Sequence, residues 1–382
     1  MDDGIRRLLL PTTDVGSVIG TASLDSALVD HRPDGQGDLE LEADLIELVG
    51  RRGRSTVAAL VDLAATPNTR FAFIDAEPET RFEVGSITKA LTGMLLADAV
   101  DRGEVSLETT VGDLLQNAAG TAFGSISFRE LCTHTSGLPR MPRGPLAVFR
   151  GIRFLVLGTH PYREMTASDV LKSAARQRLQ GRGQFRYSNL GGAVLGQLLA
   201  LRAGAEYGPL LTERILAPLA MTATIVASPQ QTAPPGWSSR GRQRPPWTTM
   251  GGFAPAGGVI STLGDMARLA VALLNGSAPG SGSLIPIEGV ATAGPNRTSG
   301  MFWGIQSDLD TNRTIIAHNG QTGGYSSFLG LTVTGGRAMI VLANVAGASN
   351  QQRIIIGLAP RFGTRIRSDP DDEGSDGDEG RP

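Results

Sequence analysis

Phe82-Glu83-Val84-Gly85-Ser86-Ile87-Thr88-Lys89-Ala90-Leu91-Thr92-Gly93-Met94-Leu95-Leu96-Ala97-Asp98-Ala99-Val100-Asp101 is the stretch from which the rest of the chain can be read. Ala90, Leu91, Met94, Leu95, Ala97 and Val100 recur at helical spacing and predict a buried helix over about 86–101. Gly103, just past its end, suits the positive φ of a C-terminal cap. Ser86 and Lys89 stand three apart at its start and so share a face. A serine in that place is most often a cap, and Ser-x-x-Lys alone is a weak signal. Composition strengthens it. Of the 35 basic residues only Lys89 and Lys172 are lysines; the other 33 are arginines, which cannot give up a proton near neutral pH. A lysine kept here can serve as a base once its surroundings lower its pKa from ~10.4. Unpaired N–H groups at the helix start can hold an oxyanion formed at Ser86.

The whole chain narrows the alternatives. Its 382 residues, 41% hydrophobic, allow one large α/β enzyme or two to three domains. The single Cys132 excludes an intrachain disulfide, and His31, His134, His160 and His318 lie far apart without metal-ligand spacing. No glycine-rich nucleotide motif is found, so neither metal nor cofactor is expected. The net charge is −2, yet residues 368–382 hold seven acids against Arg381, leaving the remainder weakly basic. That is too slight a balance for a nucleic-acid binder. The N-terminus begins with acids and a three-leucine run, with no secretory leader and no membrane span of ~18 apolar residues. The sequence reads as a cytoplasmic protein.

Taken in order, residues 1–38 read as a loosely docked arm, 39–367 as the folded domain and 368–382 as a disordered acidic tail. Residues 39–49 are an amphipathic helix, and 56–63 and 70–74 two antiparallel strands around the turn at Thr66-Pro67-Asn68. A mostly helical part follows over about 86–249, with helices at 128–131, 167–176 and 190–201. Ser261 and Thr262 offer caps for a helix at 266–274. Strands at 314–317, 328–332 and 339–343, the last two joined across Gly335-Gly336, precede a final helix at 351–358. The predicted fold class is α/β (α+β). One antiparallel sheet is built from both chain ends, about 39–85 and 250–360, with flanking helices and the inserted helical region.

Two further motifs complete a pattern: Tyr187-Ser188-Asn189 and His318-Asn319-Gly320. With Ser86-Ile87-Thr88-Lys89 they resemble, in order, the three motifs of the penicillin-recognising serine hydrolases. Tyr-x-Asn in second place is similar to the branch of class C β-lactamases, D-alanyl-D-alanine peptidases and β-lactamase-like esterases. His134-Thr135-Ser136-Gly137-Leu138-Pro139 and Pro255-Ala256-Gly257-Gly258 are further landmarks of that branch. The resemblance spans about 40–360 and implies a β-lactamase-like fold.

It also implies an acyl-enzyme at Ser86 activated by Lys89, with Tyr187 relaying a proton as phenolate or through shared hydrogen bonds. Asn189 would orient Lys89 and the substrate. The oxyanion would sit between the backbone N–H groups of Ser86 and Gln321, next to Gly320. His318 departs from the usual lysine, which removes a fixed cation for a substrate carboxylate. The expectation is therefore a carboxylesterase acting on neutral esters or amides. A D-alanyl-D-alanine carboxypeptidase or D-amino-acid peptidase, a weak β-lactamase, an acyltransferase and a catalytically silent scaffold remain open. The expected partner is a small-molecule ester, amide or β-lactam; oligomeric state is not legible.

Overall fold

The structure is a computed structural model. It describes residues 37–49, 54–64, 67–144, 151, 152, 154, 160, 164–247, 251–292, 294, 296–308 and 313–360. The acidic tail, nearly all of the N-terminal arm and most of the apolar run at 145–158 lie outside the described residues.

Seven strands form one antiparallel sheet in the order β2-β1-β12-β11-β10-β9-β8. β1 (Thr56–Asp62) and β2 (Asn68–Ile74) come from one end of the chain. β8 (Arg297–Ser299), β9 (Gly304–Asp308), β10 (Arg313–Gln321), β11 (Ser326–Thr332) and β12 (Arg337–Ala343) come from the other. The seam between the two ends is β1 against β12, with Thr56 opposite Ala343 and Asp62 opposite Arg337. Short strands lie elsewhere. β3 (Phe82–Glu83) and β4 (Ile225–Val226) flank β7 (Val259–Ser261), while β5 (Gly236–Trp237) pairs with β6 (Gln243–Arg244). The expected antiparallel sheet of both ends is thus observed, with β8 and β9 as further edge strands, and its β11–β12 hairpin turns through Gly336 at φ +60°.

Alternation along the strands separates two cores. Ala58, Leu60, Met339 and Val341 face Leu41 and Leu45 of helix α1 (Leu39–Val49) and Ile354, Ile355 and Leu358 of helix α8 (Ala348–Leu358). Val57, Ala59, Val61, Ile340 and Leu342 face the larger core. That core takes in α2 (Ile87–Asp101), α3 (Phe128–Cys132), α4 (Ala167–Ala175), α5 (Asn189–Ala203), α6 (Ala254–Gly257) and α7 (Leu263–Leu274). Among the described residues no helix is long and apolar enough to cross a membrane.

Several sequence-derived boundaries shift, three of them near the parts that carry the motifs or their frame. Asp38, assigned to the arm, docks on the domain: its carboxylate accepts from Leu41 N at 2.9 Å and pairs with Arg70 of β2 at 2.7 Å. α7 begins three residues before the expected start, because Thr262 Oγ1 accepts from Asp265 N while Ser261 Oγ is bonded to the Thr224 hydroxyl. The expected strand at 314–317 continues through Gln321, so the third motif lies inside β10. α2 is also buried on every side, from Ile87 to Ala99, rather than along one stripe. Such a helix belongs in the middle of a domain.

Candidate active site

α2 carries Ser86 immediately before its first turn. Ser86 already has helical backbone angles, and its hydroxyl caps nothing. Gly85 at φ +50° makes the sharp entry into the helix, in a region that disfavours a side chain. Ser86 is half-buried, whereas Lys89 is 0% exposed. Lys89 Nζ lies 2.9 Å from Ser86 Oγ and donates to the Ala256 carbonyl at 2.6 Å. Burial, then the nearby Arg140 charge, holds the amine well below the usual lysine range. A neutral amine reverses the contact, so that the serine hydroxyl donates to the nitrogen. Such an amine can take the hydroxyl proton.

The segment 255–258 is latched to α2. Thr92 Oγ1 donates to the Pro255 carbonyl at 2.8 Å, and Val259 N donates to Thr88 Oγ1 at 3.2 Å. Between these bonds the Ala256 carbonyl is fixed against the lysine. Gly192 of α5 adds the other wall, since a Cβ there would lie 3.2 Å from Lys89 Cε.

Tyr187 lies close enough to Ser86 for the serine to act on its phenol, and Lys89 Nζ stands 5.0 Å from its ring centroid. Burial pushes the phenol up to about 12, against the smaller opposing effects of Ser86 and Arg140. The phenolate route is therefore disfavoured, and the neutral hydroxyl sharing hydrogen bonds is the form this environment holds. Ser188 Oγ accepts from Gly191 N and caps α5, which makes Asn189 the first helical residue. Asn189 Nδ2 donates to Met141 Sδ at 3.4 Å. The expected orientation of Lys89 by Asn189 is thus not the arrangement observed, because Nζ is held by Ser86 and Ala256.

β10 forms the sheet side of the site. β9 pairs with it only as far as Ala317, so 318–321 run along an open edge. Thr322 N donates to the Tyr325 carbonyl at 3.0 Å, which makes Gln321–Ser326 a non-hydrogen-bonded pair with β11. The Gln321 N–H therefore turns away from β11 towards that open edge. It meets Gly85 there: a Cβ on Gly85 would lie 2.8 Å from Gln321 N. Gly320 packs as closely, with the place of its missing Cβ 2.1 Å from the Val84 carbonyl and 3.0 Å from Ser86 N. Ser327 Oγ donates to the same Val84 carbonyl at 2.8 Å. The backbones of Ser86 and Gln321 are thus brought close together, and two N–H donors converging at such a place can stabilise an oxyanion.

His318 is buried and its Nδ1–H donates to the Asn319 carbonyl at 2.6 Å. Burial and the Lys89 charge lower it to about 4, so the ring is neutral across the ordinary pH range. His134 is also neutral, lowered well below its ordinary value by burial first and then by Lys89 and His318. Its Nδ1 accepts from Ser188 N at 3.2 Å, and its ring lies 4.5 Å from that of Tyr187. The residue stands at φ +61°, and its buried Nε2 has no hydrogen-bond partner among the described residues.

Sequence reasoning marked His134 and the 255–258 segment only as landmarks and overlooked Arg140 and Glu83. Glu83 accepts from Trp247 N and is raised by burial to about 7, against smaller opposing effects of Thr322 and Trp247. An acid three residues before the serine in an otherwise apolar stretch was the available signal.

Comparison with known proteins fits this geometry. A D-stereospecific amidohydrolase from Streptomyces sp. superposes with a TM-score of 0.68 at 25% identity, covering 87% of this chain and all of that one. A class C beta-lactamase from Rhodobacter sphaeroides shares the fold at a TM-score of 0.67 and 19% identity, over 85% of this chain and 98% of that one. An unguisins hydrolase of Aspergillus campestris is 26% identical over 317 residues, 75% of this chain but 56% of that protein. The chain spans about half the length, or less, of the curated relatives it matches. The Beta-lactamase family model matches residues 45–356, and the chain belongs to that family of serine hydrolases.

Proposed function

We propose that the protein hydrolyses esters or amides through an acyl-enzyme on Ser86, with Lys89 as base and Tyr187 as proton relay. The observation that carries this reading is the wholly buried Lys89 amine 2.9 Å from Ser86 Oγ. Ser86 Oγ bonds to the acyl carbon while its proton passes to Lys89 Nζ. The carbonyl oxygen becomes an anion between the Ser86 and Gln321 N–H groups. Collapse breaks the bond to the leaving atom, which is protonated from Lys89 by way of the Tyr187 hydroxyl. Water then attacks the acyl carbon, gives up a proton by the same path, and Ser86 is released with its hydroxyl restored. Gly320 keeps β10 close enough for this, and Asn189 lines the side towards Met141.

The neutral His318 supports action on a neutral acyl group, as a carboxylesterase would require. A second reading, amide hydrolysis, is supported by the likeness to the D-stereospecific amidohydrolase. Incubation with a fluorophosphonate should give one adduct by intact mass, absent from Ser86→Ala. Turnover of an aryl ester, a chromogenic cephalosporin and a D-Ala-D-Ala peptide should then rank the substrates. Labelling that survives in Ser86→Ala would sink the assignment.

A further inference from the structure

Arg140 lies one residue past the 134–139 loop, outside every motif legible in the sequence. Its backbone is pinned to α5: the Arg140 carbonyl accepts from Asn189 N at 3.0 Å and from Leu190 N at 3.2 Å. The guanidinium carbon stands 5.5 Å from the Tyr187 ring centroid, over the same ring that Lys89 approaches. Its charge reaches both groups, helping to lower Lys89 and opposing in part the rise that burial gives Tyr187. Elsewhere arginines have carboxylate partners: Arg70 with Asp38, Arg214 with Glu104, Arg182 with Glu130 and Arg337 with Asp62. Arg140 is exposed and has no ion pair among the described residues. A guanidinium rooted on a fixed backbone and left without a carboxylate is equipped to grip one in two-pronged fashion.

We propose that Arg140 binds a carboxylate on the leaving group, so that the enzyme favours esters or amides whose departing alcohol or amine carries that charge. This rests on the Ser86 reading above. The leaving atom has to come next to the Tyr187 hydroxyl to be protonated, and Arg140 stands beside that ring. Selection for charge thus falls on the departing half of the substrate, while the neutral His318 makes no such demand.

The test compares 3-acetoxybenzoate with methyl 3-acetoxybenzoate, which share the acyl group and differ in charge on the leaving group. The ratio of their kcat/KM values should fall about tenfold or more in Arg140→Gln, the scale of one close charge pair at a partly solvated site. Arg140→Lys should keep part of the preference, and Arg140→Glu should invert it. A ratio within about twofold of the parent in Arg140→Gln, or an equal loss with both esters, overturns the proposal. Binding separates it from the hydrolase reading. In Ser86→Ala, calorimetric binding of 3-acetoxybenzoate should weaken about tenfold or more when Arg140→Gln is added. Arg140-dependent binding without turnover by the parent chain would overturn the hydrolase reading alone. Binding indifferent to Arg140 overturns the recognition role whatever the turnover.

Discussion

Glu83→Gln should alter how stability responds to pH. Glu83 is 4% exposed on β3 and accepts from Trp247 N, and burial raises its pKa from 4.5 to about 7. A raised acid holds its proton more tightly in the folded chain than in the unfolded one. Between pH 4.5 and about 7 the folded state therefore carries the extra proton, and stability falls as pH rises through that window. Below the window the contribution is fully present. Above it the folded state must bear a desolvated carboxylate. At ~1.4 kcal/mol per pH unit, the loss across the window is about 3 kcal/mol. Glutamine keeps an oxygen for Trp247 N but cannot titrate. Urea unfolding of both chains at pH 5 and pH 8 is the assay. The parent should lose about 3 kcal/mol more than Glu83→Gln over that interval and be the less stable of the two at pH 8. Parallel pH dependence of the two chains would refute the reasoning.

Lys89→Met should lower kcat by ~10²–10⁴, the usual scale of proton-transfer help, while leaving the chain folded. Because burial depresses the Lys89 pKa, the unfolded chain binds the extra proton, so parent stability is lost as pH falls below 10.5. Methionine should remove that slope in denaturant titrations, and a variant as active as the parent would move the base elsewhere. Gly320→Ala should slow fluorophosphonate labelling of Ser86 by ~10², since a displacement of about 1 Å in the reacting groups has that cost. Its new Cβ would meet the Val84 carbonyl at 2.1 Å, so unchanged labelling would show that β10 yields without disturbing the serine.

The sheet was legible because its strands are written in short β-type runs bounded by turn signals, and the pairing of β11 with β12 follows from Gly335-Gly336 alone. The helix of Ser86 was legible from its periodicity, though not that it would be buried on all sides. That depends on α5, α6 and β10, which arrive from distant parts of the chain. Ser86, Lys89, Tyr187 and His318 could be named from three short motifs. Their partners could not. The lysine is held by the carbonyl of Ala256, a backbone group that any residue would supply, so no side-chain pattern announces it. Arg140 was hidden by composition, as one arginine among 33 with nothing local to distinguish it. The expected Asn189–Lys89 contact gives way to Met141 for a similar reason: two short-range motifs do not specify the loop between them.

The seam between β1 and β12 has a consequence for how the molecule comes into being. Thr56 waits for Ala343, and the Ser86 stretch meets Gly320 and Gln321 only when β10 has been made. A chain emerging from the ribosome carries Ser86 early, but Gln321 and the strands that cover it are made about 230 residues or more later. Pairings so remote in sequence impose a large loop-closure cost and slow assembly. Reactivity should therefore switch on once, when β10 and β12 have been made, rather than grow with length. Shortened chains ending before β12 would leave an open edge on β1, prone to stick to other chains rather than to react.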